Sequence, residues 1–125
     1  MEAQMPRVLV IDDDEQIVIL LRSMLKRAGY EVLEARDGGR GMKLCRSERV
    51  DLVITDIIMP EMEGLELIMG LKREFPDMKI IAVSGGARNK PADYLNMASK
   101  LGAHRILTKP FERRELLTAV KELVG

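Results

Sequence analysis

The fold of this chain is decided by the stretch VITDIIMP, residues 53–60, in which an apolar run ends in one carboxylate. An aspartate at the end of an otherwise buried strand costs free energy unless another group compensates its charge. Compensating groups stand elsewhere in the sequence, in the acidic run at residues 12–14 and in Lys109, which precedes a proline. The sequence therefore predicts a polar site centred on Asp56, at the end of a buried strand.

Short apolar runs alternate along the chain with segments whose apolar residues recur at helical spacing. The predicted strands are Arg7–Ile11, Glu31–Ala35, Leu52–Asp56, Lys79–Val83 and Arg105–Thr108. A helix is predicted after each strand, and residues 37–39 (Asp-Gly-Gly) are interpreted as a turn before the second helix. Five strands that alternate with five helices predict right-handed βαβ crossovers and a parallel sheet covered by helices on both faces, which is an α/β fold.

Length and composition predict one domain. The 125 residues suffice for a single core. Apolar residues make up 46% and charged residues 32% of the chain, which is typical of a globular protein. Lys plus Arg and Asp plus Glu both number 20, so the net charge gives no reason to expect direct binding to nucleic acid or to an anionic membrane.

Cysteine usage and the lack of long apolar segments favour a cytoplasmic location. Cys45 is the single cysteine, so it cannot form an intramolecular disulfide, and we interpret it as a small apolar core residue. No apolar run approaches the roughly 18 residues of a membrane-spanning helix. Residues 1–4 lack the basic start and apolar core of a signal peptide. We therefore expect a cytoplasmic chain without a membrane partner.

Residues capable of chemistry fall at one recurring place, the C-terminal end of a predicted strand. Asp12 and Asp13 follow the first strand, Asp56 ends the third, Ser84 follows the fourth and Lys109 follows the fifth. In an open α/β sheet this edge is where ligands bind. Four strands are therefore predicted to deliver polar groups to one crevice.

The charges of this group predict a bound cation. Three carboxylates and one ammonium leave two negative charges uncompensated, and crowded carboxylates either become protonated or bind a cation. All candidate ligands are oxygens, which favours Mg²⁺ over Zn²⁺. A carboxylate, a hard cation, a hydroxyl and an ammonium together indicate phosphoryl transfer. Asp56 would attack phosphorus, Ser84 would hydrogen-bond a phosphoryl oxygen, and the metal and Lys109 would neutralise phosphoryl oxygens.

The acidic run, Ser84 and Lys109 also have purely structural interpretations. The acidic run at residues 12–14 could cap the following helix, with Asp14 at the helix start and Asp12 at capping-box spacing from Glu15. Lys109 could be a solvated lysine, and Ser84 a turn hydroxyl. Taken alone, capping is the better interpretation of the acidic run. Considered together with the other strand ends, metal binding by Asp13 is favoured.

Four short motifs occur in a fixed order between the predicted elements. They are Val10-Ile11-Asp12-Asp13, Thr55-Asp56-Ile57-Ile58-Met59-Pro60 with Gly64, Val83-Ser84-Gly85, and Thr108-Lys109-Pro110-Phe111. Each motif is weak alone, but the four in this order resemble the response-regulator receiver domain of two-component signalling, as in the bacterial chemotaxis response regulator. The resemblance runs from about Arg7 to Val124. It implies a flavodoxin-like doubly wound sheet with strand order 2-1-3-4-5, and a single receiver domain over residues 1–125 with a core of about 7–124.

The resemblance also implies roles for the site residues. Asp56 would accept a phosphoryl group from the phosphohistidine of a histidine kinase. Mg²⁺ would be bound by Asp13, by Asp56 and by the main-chain carbonyl of Ile58, with Asp12 acting through water. The peptide bond from Lys109 to its proline would be cis.

Partners and output follow from the same resemblance. The partners would be a sensor histidine kinase or phosphotransfer protein, and a downstream protein or a covalently linked output domain. The chain would not be an enzyme on other substrates, because it would catalyse only its own phosphorylation and dephosphorylation. The output surface is expected on Pro91–Leu101, Arg105–Leu107 and Glu112–Val124.

Three positions depart from common features of the family. Ile106 stands where the fifth strand often has an aromatic residue that moves inward on phosphorylation, and His104 is interpreted as a surface residue. Ile58 and Gly86 occupy two positions that often tune the lifetime of the phosphate. The sequence does not predict that lifetime.

Three other classes of protein fit this sequence less well. An FMN-binding protein needs a phosphate loop rich in hydroxyls and glycine after the first strand, where this chain has three aspartates. A Mg²⁺-dependent phosphohydrolase needs a substrate-binding insertion and a general acid near the nucleophile, and the sequence shows neither. A receiver-like domain that only binds partners is disfavoured because Asp13, Asp56, Ser84 and Lys109 are all present.

Overall fold

The strands and helices alternate strictly along the chain. The computed structural model describes residues 5–57, 64–85 and 91–125. The strands are β1 (Arg7–Ile11), β2 (Glu31–Ala35), β3 (Leu52–Asp56), β4 (Lys79–Gly85) and β5 (Arg105–Lys109). The helices are α1 (Glu15–Arg27), α2 (Gly38–Ser47), α3 (Gly64–Glu74), α4 (Pro91–Leu101) and α5 (Arg113–Val124). The strands form one sheet in the order β2-β1-β3-β4-β5, in which all neighbours are parallel, so the predicted fold and strand order are confirmed.

The register of the sheet brings the polar strand ends to the same level. Ile11 at the end of β1 pairs with Thr55 in β3, so Asp12 follows at the level of Asp56. Asp56 itself pairs with Val83 in β4. Because the strands are parallel, their carboxyl ends share one edge of the sheet. The central position of β3 places Asp56 in the middle of that edge.

Apolar side chains hold the helices on both faces of the sheet. One cluster packs α2, α3 and α4 against one face and includes the fully buried Leu9, Ile68 and Ile80. The other packs α1 and α5 against the opposite face and includes Val10, Leu25, Ile54 and Leu116. β1, β3 and β4 therefore send side chains into both clusters, which explains why their sequences lack polar alternation. Cys45 lies in the first cluster, and burial raises the pKa of its thiol to about 11, as expected of an apolar core residue.

The prediction of a turn at residues 37–39 is wrong for Gly38 and Gly39. Gly38 and Gly39 belong to the first turn of α2, and Asp37 is its N-cap. The Asp37 Oδ1 accepts a hydrogen bond of 2.8 Å from the main-chain nitrogen of Arg40. This capping bond satisfies one of the unpaired amides at the helix start and overcomes the weak helix propensity of glycine.

Two strands extend further than the sequence predicts. β4 continues to Gly85 and β5 to Lys109, because Ser84 pairs with Thr108 and Gly85 pairs with Lys109. Ser84 is therefore the penultimate residue of β4 and Lys109 the last residue of β5, and strand pairing fixes the position of their main chain.

The part of the chain described above contains no helix that is long and apolar enough to cross a membrane.

Candidate functional site

Three carboxylates meet at the edge of the sheet where β1 and β3 end. Asp12, Asp13 and Asp56 each offer an oxygen, and these atoms lie within 4.8 Å of one another. Asp12 and Asp56 are buried, whereas Asp13 is exposed. Oxygens at this separation can share one hard cation. The three carboxylates predicted from the sequence to form a metal site are thus brought together.

The side chain of Lys109 lies between the two buried carboxylates. Its Nζ donates to Asp12 Oδ2 at 3.1 Å and to Asp56 Oδ2 at 3.5 Å. The lysine side chain is only 18% exposed, so these contacts are screened less than those of a surface ion pair. The peptide bond from Lys109 to Pro110 is cis, as the resemblance implies. The interpretation of Lys109 as a solvated lysine is wrong.

Burial and neighbouring charges shift the pKa values of Asp12 and Lys109. Burial raises the pKa of the Asp12 carboxyl, and the charge of Asp56 adds to this, although the amide of Asp14 and the ammonium of Lys109 oppose it. Burial alone would lower the pKa of Lys109, but the carboxylates of Asp56 and Asp12 outweigh it, so the pKa is raised. Lys109 is therefore a cation at neutral pH, and it compensates part of the negative charge of the site.

In the turn between β1 and α1, one aspartate caps the helix and another belongs to the acidic site. Asp14 is the N-cap of α1, and its carboxylate accepts a hydrogen bond of 2.9 Å from the main-chain nitrogen of Gln16. The main-chain nitrogen of Asp14 in turn donates to Asp12 Oδ1 at 2.9 Å. The capping box considered for Asp12 and Glu15 is therefore wrong, because the helix is capped by Asp14. Asp12 instead orders the turn and directs its other oxygen to Lys109.

Ser84 completes the edge on the side of β4. Its side chain is fully buried, and its Oγ has no hydrogen-bond partner among the residues that the structure describes. Because Asp56 pairs with Val83, Ser84 follows at the level just beyond Asp56. A buried hydroxyl without a partner is costly and calls for an explanation. A phosphoryl oxygen bound at Asp56 would supply the missing partner.

Several predicted residues lie outside the described residues or at the margin of the site. Ile58, expected to offer its carbonyl to Mg²⁺, and Gly86 both lie outside the described residues. Ile106 is half-buried in β5. His104 is half-buried rather than at the surface, and its Nδ1 accepts a hydrogen bond of 3.2 Å from the main-chain nitrogen of Ile80. Sequence reasoning missed this contact because it depends on the register between β4 and β5.

The sheet, the acidic edge and the half-buried lysine define a receiver-type signalling domain. Residues 8–121 match the family model of the response regulator receiver domain, so the chain belongs to that family. It is thus a receiver domain of the two-component response regulators, and the phosphoacceptor role is standard for the family.

A transcriptional regulatory protein and a sensor kinase each contain a segment similar to this chain. The chain is 34% identical over 118 residues to the alkaline phosphatase synthesis transcriptional regulatory protein PhoP of Bacillus subtilis, covering 94% of this chain and 48% of PhoP. It is 35% identical over 119 residues to the sensor kinase CckA of Brucella abortus, covering 94% of this chain and 12% of CckA. The chain therefore spans less than half the length of these relatives.

Solved structures agree with the fold. The CheY-like receiver domain protein from Methanospirillum hungatei is 34% identical, with a TM-score of 0.87 over 95% of this chain and 93% of that one. The response regulator TrrA from Thermotoga maritima, solved in complex with Mg²⁺ and BeF, is 35% identical, with a TM-score of 0.85 over 96% of this chain and 100% of that one.

Proposed function

We propose that Asp56 is the residue of this receiver domain that accepts the phosphoryl group, from the phosphohistidine of a sensor histidine kinase or phosphotransfer protein. The observation that supports it most is the position of Lys109, which contacts Asp12 and Asp56 at the central edge of the sheet. A half-buried cation beside a carboxylate can stabilise the charge of a phosphoryl group in transfer. The remaining residues of the edge supply the other groups that this reaction needs.

The acidic edge fits a magnesium ion. Its donors are carboxylate oxygens within 4.8 Å of one another, and among residues 5–57, 64–85 and 91–125 no histidine or cysteine belongs to that cluster. We assign the ion to the carboxylates of Asp13 and Asp56 and to the main-chain carbonyl of Ile58, with Asp12 acting through water. The ion would offset the charge of the phosphoryl oxygens. TrrA is a receiver solved with Mg²⁺, which supports the assignment.

Asp56, Lys109 and Ser84 would each have a separate role in the phosphoryl transfer. A carboxylate oxygen of Asp56 attacks phosphorus, an O–P bond forms, and the P–N bond of the phosphohistidine breaks with its electron pair returning to the imidazole. Lys109 keeps its proton and neutralises a phosphoryl oxygen. The buried Oγ of Ser84, which has no partner among the described residues, donates a hydrogen bond to another phosphoryl oxygen. In the only other reaction that we assign to the domain, water attacks the phosphorus of the acyl phosphate, the bond from phosphorus to the Asp56 oxygen breaks, and inorganic phosphate leaves.

The phosphoryl group would act at a distance through the strand ends. Ser84 and Lys109 are paired with Thr108 and Gly85 across β4 and β5, so a shift of either residue moves the end of the sheet beside α4 and α5. We assign the output to the surface of α4, β5 and α5, which would contact a downstream protein or a linked output domain in the cytoplasm. Direct contact with nucleic acid or a membrane is not part of this function.

Phosphorylation by a small phosphodonor tests the assignment. The chain is incubated with acetyl phosphate and Mg²⁺, and its intact mass is measured. We expect one added phosphoryl group on the native chain and none on Asp56→Asn, which keeps the size of the side chain but loses the nucleophilic oxygen. Asp51→Asn is the control, because Asp51 lies before β3 and away from the carboxyl edge. Equal labelling of Asp56→Asn and the native chain would refute the assignment.

A further inference from the structure

Gly64, the first residue of α3, lies directly against the main chain of Asp56 and Ile57. A side-chain carbon at this position would overlap the Cα of Ile57 and the carbonyl oxygen of Asp56, and would stand 2.8 Å from the carbonyl carbon of Ile57. Real side-chain carbons do not come this close to main-chain atoms. Glycine is therefore required here for space, so that the helix can lie directly against the end of β3.

A main-chain hydrogen bond also joins the start of α3 to the residue that follows β3. The main-chain nitrogen of Gly64 donates to the carbonyl oxygen of Ile57 at 3.0 Å, and the main-chain nitrogen of Ile57 donates to the carbonyl oxygen of Val83 at 3.1 Å. Ile57 is thus held by β4 on one side and by the start of α3 on the other. The two ends of the connection between β3 and α3, residues 57 and 64, are joined directly.

The helix cannot retreat to make room for a larger residue. Leu67, Ile68 and Leu71 of α3 are almost fully buried in the cluster on this face of the sheet. Moving the helix outward would open a void among these side chains, and closely packed cores resist such changes. An added carbon at Gly64 would instead displace the main chain of Asp56 and Ile57.

We infer that Gly64 is a positioning residue for the acceptor. Its missing side chain lets α3 fix the main chain of Asp56, and this determines where the Asp56 carboxylate stands relative to Lys109 and Asp13. This role presupposes the proposed one, in which Asp56 is the acceptor and binds Mg²⁺ together with Asp13. Gly64 belongs to one of the four sequence motifs, and its close approach to Asp56 explains why a glycine is needed at that position.

Two glycines of α3 provide a matched pair of variants. Gly64→Ala introduces the carbon that meets the acceptor's main chain, whereas Gly70→Ala introduces the same carbon where it meets only the Met42 Cε at 3.9 Å. Mg²⁺ affinity is measured from the amide chemical shifts of Asp13 and Asp56 during a titration, and the phosphorylation rate is measured at saturating Mg²⁺. We expect Gly64→Ala to weaken Mg²⁺ binding and to slow phosphorylation, each by about tenfold or more, and Gly70→Ala to change neither by more than about twofold.

A role in stability alone predicts a different result. Gly64→Ala would then lower the urea midpoint, but the folded molecules would bind Mg²⁺ and react with phosphodonor as Gly70→Ala does. That outcome would overturn the inference. If neither the native chain nor Gly70→Ala showed Mg²⁺-dependent shifts at Asp13 and Asp56, the proposed metal site would fail, and the role of Gly64 with it.

The native chain supplies a test that needs no substitution. If the contact between Gly64 and Ile57 favours Mg²⁺ binding, then Mg²⁺ must stabilise that contact by the same factor, because coupling is reciprocal. We expect hydrogen exchange at the Gly64 amide to slow by about tenfold or more when Mg²⁺ saturates the site. Exchange that stays unchanged while the Asp13 and Asp56 amides shift would overturn the inference, even if Gly64→Ala does not fold.

Discussion

The Nζ of Lys109 lies 3.1 Å from Asp12 Oδ2, and this ion pair joins the end of β5 to the turn after β1. The two residues are 97 positions apart in sequence. Asp56 Oδ2 lies slightly further from the same Nζ, at 3.5 Å. Lys109 therefore contacts both Asp12 and Asp56, the proposed acceptor, and its contact with Asp12 is the shorter one.

Removing the charge of Lys109 should separate metal binding from phosphoryl transfer. In Lys109→Met the three carboxylates lose a neighbouring cation, so we expect Mg²⁺ to bind several-fold more tightly. Phosphorylation at saturating Mg²⁺ should slow by about 100-fold, because a preorganised group that stabilises developing charge is lost. A metal titration and the initial rate of phosphorylation measure the two effects. Lys121→Met, an exposed cation on α5, is the control. Equal rates in both variants would contradict the role of Lys109.

Two adjacent carboxylates should have separate tasks. In Asp13→Asn, Mg²⁺ affinity should fall by about tenfold or more, since loss of even an outer-shell partner often costs that much. Stability should hardly change, because Asp13 is exposed. In Asp14→Ala the N-cap of α1 is lost, which should cost about 1 kcal/mol of unfolding free energy and leave Mg²⁺ binding unchanged. A Mg²⁺ titration measures the affinity of both variants, and urea unfolding measures their stability. Weaker Mg²⁺ binding in Asp14→Ala alone would show that the site is misassigned.

The hydroxyl of Ser84 should matter for the phosphorylated form and not for the resting fold. Since Ser84 Oγ has no partner among the described residues, Ser84→Ala should change the unfolding free energy by less than about 0.5 kcal/mol or raise it slightly. Phosphorylation should still occur, but the chemical-shift changes along β4 and β5 should shrink, because the hydroxyl no longer bonds a phosphoryl oxygen. A loss of more than about 2 kcal/mol in the resting chain would show that Ser84 is structural.

The sequence is sufficient to predict the strands and the edge of the sheet at which the polar residues lie. β1, β2 and β3 have the predicted bounds because their apolar runs stop abruptly at charged or turn-forming residues. The register cannot be predicted in the same way, because pairing of Ser84 with Thr108 depends on contacts between distant segments. The same limit hid the overlap that a side chain at Gly64 would cause with Asp56, since a glycine in a sequence gives no sign of what approaches it.

Acid should weaken the fold through His104, at the opposite edge of the sheet from the acidic site. Its Nδ1 accepts a hydrogen bond from the main-chain nitrogen of Ile80, which requires a neutral ring at that atom. Partial burial lowers the pKa of His104 from the ordinary 6.5, and the nearby cations Lys72, Lys79 and Arg105 lower it further. The unfolded chain therefore binds a proton more readily than the folded one between the lowered pKa and about 6.5. The stabilising contribution is fully present above this window and is lost as the pH falls through it.

An asparagine at position 104 should remove this pH dependence and keep the hydrogen bond. The Oδ1 of the amide in His104→Asn can accept from Ile80, but it does not titrate. Urea midpoints at about pH 7.5 and about pH 5.5 are compared for both chains, so that changes due to carboxylates common to both cancel in the difference. We expect the native chain to lose more stability than His104→Asn between these two values. If both chains lost the same amount, His104 would titrate alike in the folded and unfolded states, and its contact with Ile80 would not depend on the neutral ring.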